Sequence, residues 1–157
     1  NFVRDYGITK VYVTAPNIEE IRNNSSFTVS SIGVLRYANL TLLSEDYETE
    51  EFYTNGDFIL DLEVENLNIT ANGFSNFFLT GSAIKANIAL YSGNSRVEAA
   101  DLFIQDLIVF HRSTNKIIVN PQMSIIGEIR SLGDVISKNE PLLIDVAEYY
   151  TGRLIFD

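Results

Sequence analysis

The amino-acid sequence predicts an all-β fold: a right-handed, single-stranded parallel β-helix, which is a solenoid with rungs of about twenty residues. Three observations support this prediction. Apolar residues recur in columns at a nearly fixed step, and polar turn residues recur at the same step. Short segments rich in β-branched and aromatic residues are frequent, and no segment keeps a helical period over twelve residues.

The columns show where successive rungs are expected to stack. The first column has steps of 19, 20, 20 and 19 and contains Phe58, Phe77, Val97, Ile117 and Ile136. The second contains Leu60, Leu79, Ala99 and Val119, and the third contains Leu67, Ile88, Leu107 and Ile126. The turn column contains Ser75, Ser95, Asn115 and Asp134. A meander of hairpins would not give this fixed step, because each hairpin reverses the order of equivalent positions.

A single domain over residues 1–157 follows from the length and from the continuous repeat. Residues 1–57 are expected to form irregular rungs, with short strands near 11–14, 18–21, 27–30 and 40–43. Regular rungs should occupy 58–134, in the order 58–76, 77–95, 96–115 and 116–134. Residues 135–157 should form the last rung and a cap that includes Pro141, Tyr149 and Tyr150. Right-handedness is expected by analogy with other parallel crossovers.

Composition limits the possible functions. The formal net charge of −10 opposes binding to nucleic acid or to an anionic membrane surface. The chain has no cysteine and one histidine, so disulfides, thiolate catalysis and sites built on cysteine or several histidines are excluded, and we expect no cofactor or metal. The longest apolar runs are a few residues, too short to span a membrane. Because the sequence begins with Asn1, we expect that an upstream signal or lipid-anchor segment has been removed.

Four residues are candidate ligand contacts: Tyr91, Arg96, His111 and Arg112. At a step of twenty, His111 aligns with Tyr91 and Ala71, where a strand enters a corner, and Arg112 lies one position further. His111 and Arg112 are therefore expected to face solvent, either as ordinary surface residues or as a local binding spot with Arg96. Four aromatic residues are expected either to stack on a sugar or a partner protein, or to pack within the β-helix: Tyr91, Phe110, Tyr149 and Tyr150.

Acidic residues offer two further possibilities. The stretch 45–51 is expected to be a solvated loop, and a calcium site is the alternative because hard cations prefer clustered oxygens. Asp101 and Asp106 share a rung and are placed to approach Glu98 or Glu128, as a polysaccharide lyase or hydrolase would require. Rungs of even length leave little chain to build a cleft, which counts against an enzyme. A carbohydrate-active enzyme is therefore the alternative to a non-enzymatic interaction module.

Several segments resemble the repeat of the putative auto-transporter adhesin head domain, or GIN domain, a family found in Bacteroidetes. That repeat reads Ser-Gly-(Ser/Asp)-Gly-Asp-Val followed by an apolar strand and a second, alternating strand. The resembling segments are residues 56–70, 79–83, 91–94 and 131–135, with 14–22 similar to the family's N-terminal part and 149–152 to its C-terminal part. Residues 72–75 and 111–114 depart from the Ser-Gly-rich turns.

The resemblance implies a right-handed parallel β-helix located in the bacterial cell envelope, either as a periplasmic protein or an outer-membrane lipoprotein, or else a secreted protein. The family offers no established catalytic residues to carry over. The regular repeat, the acidic and polar exterior and the lack of a catalytic constellation in the sequence predict a non-enzymatic, adhesin-like interaction module with a protein or glycan partner. Because the terminal rungs of a β-helix expose strand edges, we also expect either caps or a homo-oligomer formed through the ends.

Overall fold

In the computed structural model, residues 9–45 and 54–157 are described, and they form nine strands. The strands are β1 (Glu20–Arg22), β2 (Val29–Ser44), β3 (Phe58–Ala71), β4 (Asn76–Leu90), β5 (Arg96–His111), β6 (Ile117–Ile129), β7 (Val135–Ser137), β8 (Leu143–Glu148) and β9 (Leu154–Phe156). All of their pairings are parallel, in the order β1 to β7 and then β9, with β8 beside β6. The predicted all-β parallel solenoid is confirmed.

Each regular rung is one long bent strand rather than the two or three short strands that the sequence suggested. Strands β2 to β6 contain 13 to 16 residues, and shifts of register mark the places where they bend. Gly81 and Gly127 occupy bends with φ of +104° and +135°. A Cβ at these glycines would lie 2.0 Å from the Leu62 carbonyl oxygen and 1.9 Å from that of Val109, so the bend requires glycine.

The first apolar column forms the core for four rungs. Phe58 pairs with Phe77, which pairs with Val97, which pairs with Ile117, and all four are fully buried. The rings of Phe58 and Phe77 stack with centroids 4.7 Å apart and planes 7° apart, at the ~4.8 Å spacing of paired strands. The fifth predicted member was wrong, because Val135, and not Ile136, pairs with Ile117.

The third column was wrong at two positions. Leu67 pairs with Ala86 rather than with Ile88, and Leu107 pairs with Ile125 rather than with Ile126. The turn column has the same error. Ile117 pairs with Val135, so Asn115 lies beside Gly133 and not beside Asp134. A Cβ added to Gly133 would meet the Asn115 carbonyl oxygen. The real steps vary by one or two residues around twenty, and a slip of one residue moves a side chain to the opposite face of the sheet.

The two ends of the solenoid are less regular. Residues 11–14, expected as a strand, form none, and Val11, Tyr12 and Val13 are exposed. At the other end, Tyr149 and Tyr150 are exposed in the turn between β8 and β9. The acidic stretch considered as a calcium site lies outside the described residues, except for its first member.

Candidate functional site

One corner of the solenoid carries an exposed ladder of side chains, each one position beyond the end of a strand. We call it the corner ladder, and its members from successive rungs are Tyr91, Arg112, Arg130 and Tyr149. The backbone amide of each donates to a carbonyl of the preceding rung, on Ala71, Leu90, His111 and Ile129, over 2.7 to 2.9 Å. The four residues therefore stand in order along the solenoid axis, about one rung, or ~4.8 Å, apart.

The aromatic members of the corner ladder present ring surface to water. Tyr91 is 41% exposed and Tyr149 is 58% exposed. The Tyr91 ring packs against Phe110 with centroids 5.3 Å apart, and the Arg130 guanidinium lies 4.1 Å from the Tyr149 ring centroid. These contacts fix the rings from the protein side and leave surface free for a ligand.

The two arginines of the corner ladder differ in their ion pairing. Arg130 hydrogen-bonds to Glu128, which lowers the pKa of that carboxyl. Among the described residues, Arg112 has no carboxylate within ion-pair distance. The remaining described arginines each have a glutamate partner: Arg22, Arg36, Arg96 and Arg153. Arg112 is thus an exposed arginine that no described carboxylate pairs with.

His111 was predicted to face solvent, and this was wrong. It pairs with Leu90 and Ile129, which are core residues, and its side chain is fully buried. The step from Leu90 to His111 is 21 residues, so alignment at twenty placed it beside Tyr91 instead. The period of two was a signal for burial, because Leu107 was expected in an inward column and His111 lies four residues further along the same strand.

Burial gives His111 an unusual chemical state. Desolvation lowers its pKa to about 4, so the ring is neutral at pH 7. Within the part of the chain that is described, neither ring nitrogen makes a hydrogen bond of normal geometry, although the backbone of Asn115 and Gly133 lies close. A Cβ at Gly133 would fall 2.5 Å from Nε2. His111 is therefore a core residue and not the solvent-facing residue that was predicted.

Arg96 is separated from the corner ladder. It begins β5, where its backbone pairs with Asn76, and its guanidinium forms an ion pair with Glu98. The structure therefore keeps Tyr91 and Arg112 together on one surface and removes Arg96 and His111 from it. Arg130 was not predicted. Tyr149 was named as a possible stacking residue, but its alignment with Tyr91 was missed because it requires the true steps between rungs.

A second surface is a shallow groove of about 460 Å³ on the outer face of β3 to β5. Asp61, Thr80 and Asp101 follow one another on successive rungs, and the Thr80 hydroxyl donates to Asp61 Oδ1 over 3.3 Å. Ile59 and Phe78 line the same groove and are 51% and 40% exposed. The groove therefore combines carboxylates with apolar surface.

The carboxylates considered for catalysis are divided between different places. Asp101 and Glu98 line the groove, although Glu98 is paired with an arginine. Asp106 accepts a hydrogen bond of 2.6 Å from Ser124, and Glu128 pairs with Arg130 at the corner. Asp61 is a groove carboxylate that the sequence did not indicate, because only the fold brings it into line with Asp101.

The described residues contain neither a metal-binding cluster nor a membrane-spanning helix. Over residues 9–45 and 54–157, no group of three or more histidine, aspartate or glutamate side chains is placed to hold a metal ion. Over the same residues, no helix is long and apolar enough to cross a membrane.

Comparison with known proteins gives two matches. A family model described as "putative auto-transporter adhesin, head GIN domain" matches residues 1–141. The crystal structure of a putative adhesin from Bacteroides fragilis is similar in fold, with a TM-score of 0.72 and 21% sequence identity. The match covers 83% of this chain and 56% of that one, so this chain spans little more than half the length of that structure. No curated protein matches.

Proposed function

We propose that this chain, which belongs to the head GIN-domain family of putative auto-transporter adhesins, is a non-enzymatic interaction module of the bacterial cell envelope or surface. The observation that carries the proposal is the corner ladder. It places exposed aromatic rings, and an arginine that pairs with no described carboxylate, in a row on a rigid scaffold. Family membership and the adhesin-like fold neighbour support the same function.

The scaffold suits binding of an extended ligand. Strands β3 to β6 are joined along most of their length, so their outward side chains keep fixed positions. A ligand that binds to such a surface loses its own freedom but causes little reordering of the protein, which favours affinity. A glycan or a protein segment lying along the solenoid axis would contact successive rungs in turn.

Two experiments test this function. Purified protein is applied to a glycan array and used to capture partners from an envelope extract of the parent cells, with Tyr149→Ala as the test variant. Tyr150→Ala is the matched control, because Tyr150 is equally exposed but lies outside the corner ladder. We expect binding that Tyr149→Ala weakens and Tyr150→Ala preserves. Absence of binding in both experiments would overturn the proposal.

Location is tested separately. We expect the full-length precursor to carry an export signal or lipoprotein signal, and antibody to label the protein in envelope fractions or on intact cells. Recovery of the native protein only in the cytosolic fraction would contradict an envelope role.

The groove supports a second candidate function, a carbohydrate-active enzyme. Asp61 and Asp101 lie two rungs apart on one column, about 10 Å along the sheet. This is close to the upper end of the roughly 6.5–9.5 Å that separates the carboxylates of inverting glycosidases. A polysaccharide panel, with and without calcium, assayed for new reducing ends or unsaturated products, tests it. Activity abolished by Asp101→Asn would favour the enzyme, and an inactive wild-type protein would contradict it.

Association through the ends is a further part of the proposal. The outer edges of β8 and β9 have no strand beside them within the described residues, and Leu143, Ile144, Ile155 and Phe156 are all more than one-third exposed there. A second copy that pairs with these edges would cover the apolar residues. Light scattering over a range of concentrations tests this association, and a monomer at every concentration would rule it out.

A further inference from the structure

We propose that the corner ladder is a binding site for an acidic polysaccharide, with a uronate carboxylate at Arg112 and neighbouring sugar rings on Tyr91 and Tyr149. The inference rests on the proposed function of the chain as a binding module. It adds a location, a chemical class of ligand and a role for each side chain.

Charge is the first argument. The chain carries a net charge of −10, yet two arginines stand on adjacent rungs of one corner. Glu128 neutralises Arg130, whereas no described carboxylate pairs with Arg112. A guanidinium binds a carboxylate through two parallel hydrogen bonds, which makes Arg112 a suitable partner for a sugar carboxylate.

Aromatic surface is the second argument. Tyr91 lies one rung before Arg112, and Tyr149 lies one rung beyond Arg130. Phe110 holds the Tyr91 ring from one side, and the Arg130 guanidinium covers part of the Tyr149 ring. The exposed remainder of each ring can pack against the apolar C–H face of a pyranose. Tyrosine and arginine are also the residues that most often dominate the energy of binding surfaces.

Spacing favours a glycan over a peptide. The ladder repeats every rung, at ~4.8 Å, and the four residues span about 14 Å. One hexose of an extended polysaccharide has about the length of one rung, so three or four sugars match the ladder. A peptide strand presents side chains on one face about every 6.6 Å, and polyproline II advances about 3.1 Å per residue, so neither keeps this register.

The turns beside the ladder are held in place from rung to rung. The Ser92 hydroxyl donates to the Asn72 carbonyl oxygen over 2.9 Å, and the Thr114 hydroxyl donates to Asn94 Oδ1 over 3.0 Å. The fully buried His111 ring fills the core immediately below Arg112. The site is therefore preorganised, and a ligand does not have to order a loop in order to bind.

The test measures binding of four-residue oligogalacturonate and oligomannuronate by calorimetry, with their methyl esters as neutral counterparts. We expect the wild-type protein to bind at least one acidic oligosaccharide, and its methyl ester at least about tenfold more weakly. Arg112→Gln should weaken acidic binding about tenfold to hundredfold, as for loss of a charge-assisted hydrogen bond. Arg112→Lys should retain part of the affinity, and Tyr149→Ala should weaken both forms. Arg36→Gln, on β2 and outside the ladder, should bind as the wild type does.

The outcomes separate this inference from the proposed function. Equal binding of acid and ester, unchanged binding by a folded Arg112→Gln variant, or preference for polyglutamate over the oligosaccharides would each overturn the inference. If the chain instead binds an array glycan or a captured protein without dependence on Arg112, the inference fails and the proposed function survives. If it binds nothing in any of these experiments, both fail. Thermal melts of each variant confirm that it is folded.

Discussion

Burial of His111 makes the stability of the solenoid depend on pH. Its ordinary pKa of 6.5 applies in the unfolded chain, and desolvation lowers the pKa to about 4 in the folded protein. As the pH falls below 6.5, the unfolded chain takes up a proton that the folded protein does not, so the free energy of unfolding decreases. The decrease ends below about pH 4, where His111 is protonated in both states.

The size of this effect follows from the shift in pKa. A difference of about 2.5 between the unfolded and folded values corresponds to about 3 kcal/mol, at about 1.4 kcal/mol for each pKa unit. About 2 kcal/mol of this is lost between pH 7.5 and 5. A small domain is stable by about 5–15 kcal/mol, so the loss is large enough to measure.

The substitution His111→Leu removes the titrating group. Leucine should fit the position, because Leu90 and Ile129 are the core neighbours of His111 on the two adjacent rungs. Urea unfolding of both proteins at several pH values between 7.5 and 5 gives the difference in their pH dependence. Carboxylates other than Asp134, which interacts electrostatically with His111, contribute equally to both proteins and cancel in that difference. The variant should lose about 2 kcal/mol less than the wild type over this range, and parallel pH profiles would refute the reasoning.

Two further predictions concern the core and the bends, and both are checked by urea unfolding at pH 7. Phe77→Ala should cost about 3–5 kcal/mol because it removes a fully buried, stacked ring, whereas the half-exposed neighbour, Phe78→Ala, should cost less than about 1 kcal/mol. Gly127→Ala should lower the free energy of unfolding more than Gly33→Ala does. Both glycines have positive φ, but only at Gly127 would a Cβ meet the backbone, where it would lie 1.9 Å from the Val109 carbonyl oxygen. Equal costs within either pair would contradict the assigned environments.

The repeat predicted the fold because stacked rungs bury the same position each time. Phe58, Phe77, Val97 and Ile117 are all apolar and all inward, and their spacing alone indicated the solenoid. The exact register was less accessible. Bends add or remove single residues without a clear mark in the sequence, and a second apolar residue near the correct one, such as Ile136 beside Val135, hides the slip.

The residues of the candidate site were even harder to align from the average step of twenty than those of the core. Arg112 was predicted to face solvent from its place at a corner, and it is exposed. Tyr91 was left open between ligand stacking and internal packing, and its ring is exposed while also contacting Phe110. Arg130 and Tyr149 join them only through rung steps that differ from twenty. His111 was misplaced because the average step was given more weight than the local alternation of the strand in which it lies. Over a few residues, the period of two is the more reliable guide, since it follows from the geometry of a strand.

The fold restricts which residues can occupy inward positions much more than it restricts outward positions. Inward columns are mostly apolar, and glycine is required where a Cβ would meet the backbone of the adjacent rung, as at Gly81 and Gly127. Outward positions have no such requirement, and adjacent like charges on neighbouring strands are unfavourable. Placing Arg112 beside Arg130 on adjacent rungs, where Glu128 pairs with Arg130 alone, is therefore not explained by the stability of the solenoid. Because the fold does not require arginine at position 112, this position is a reasonable place to look for binding.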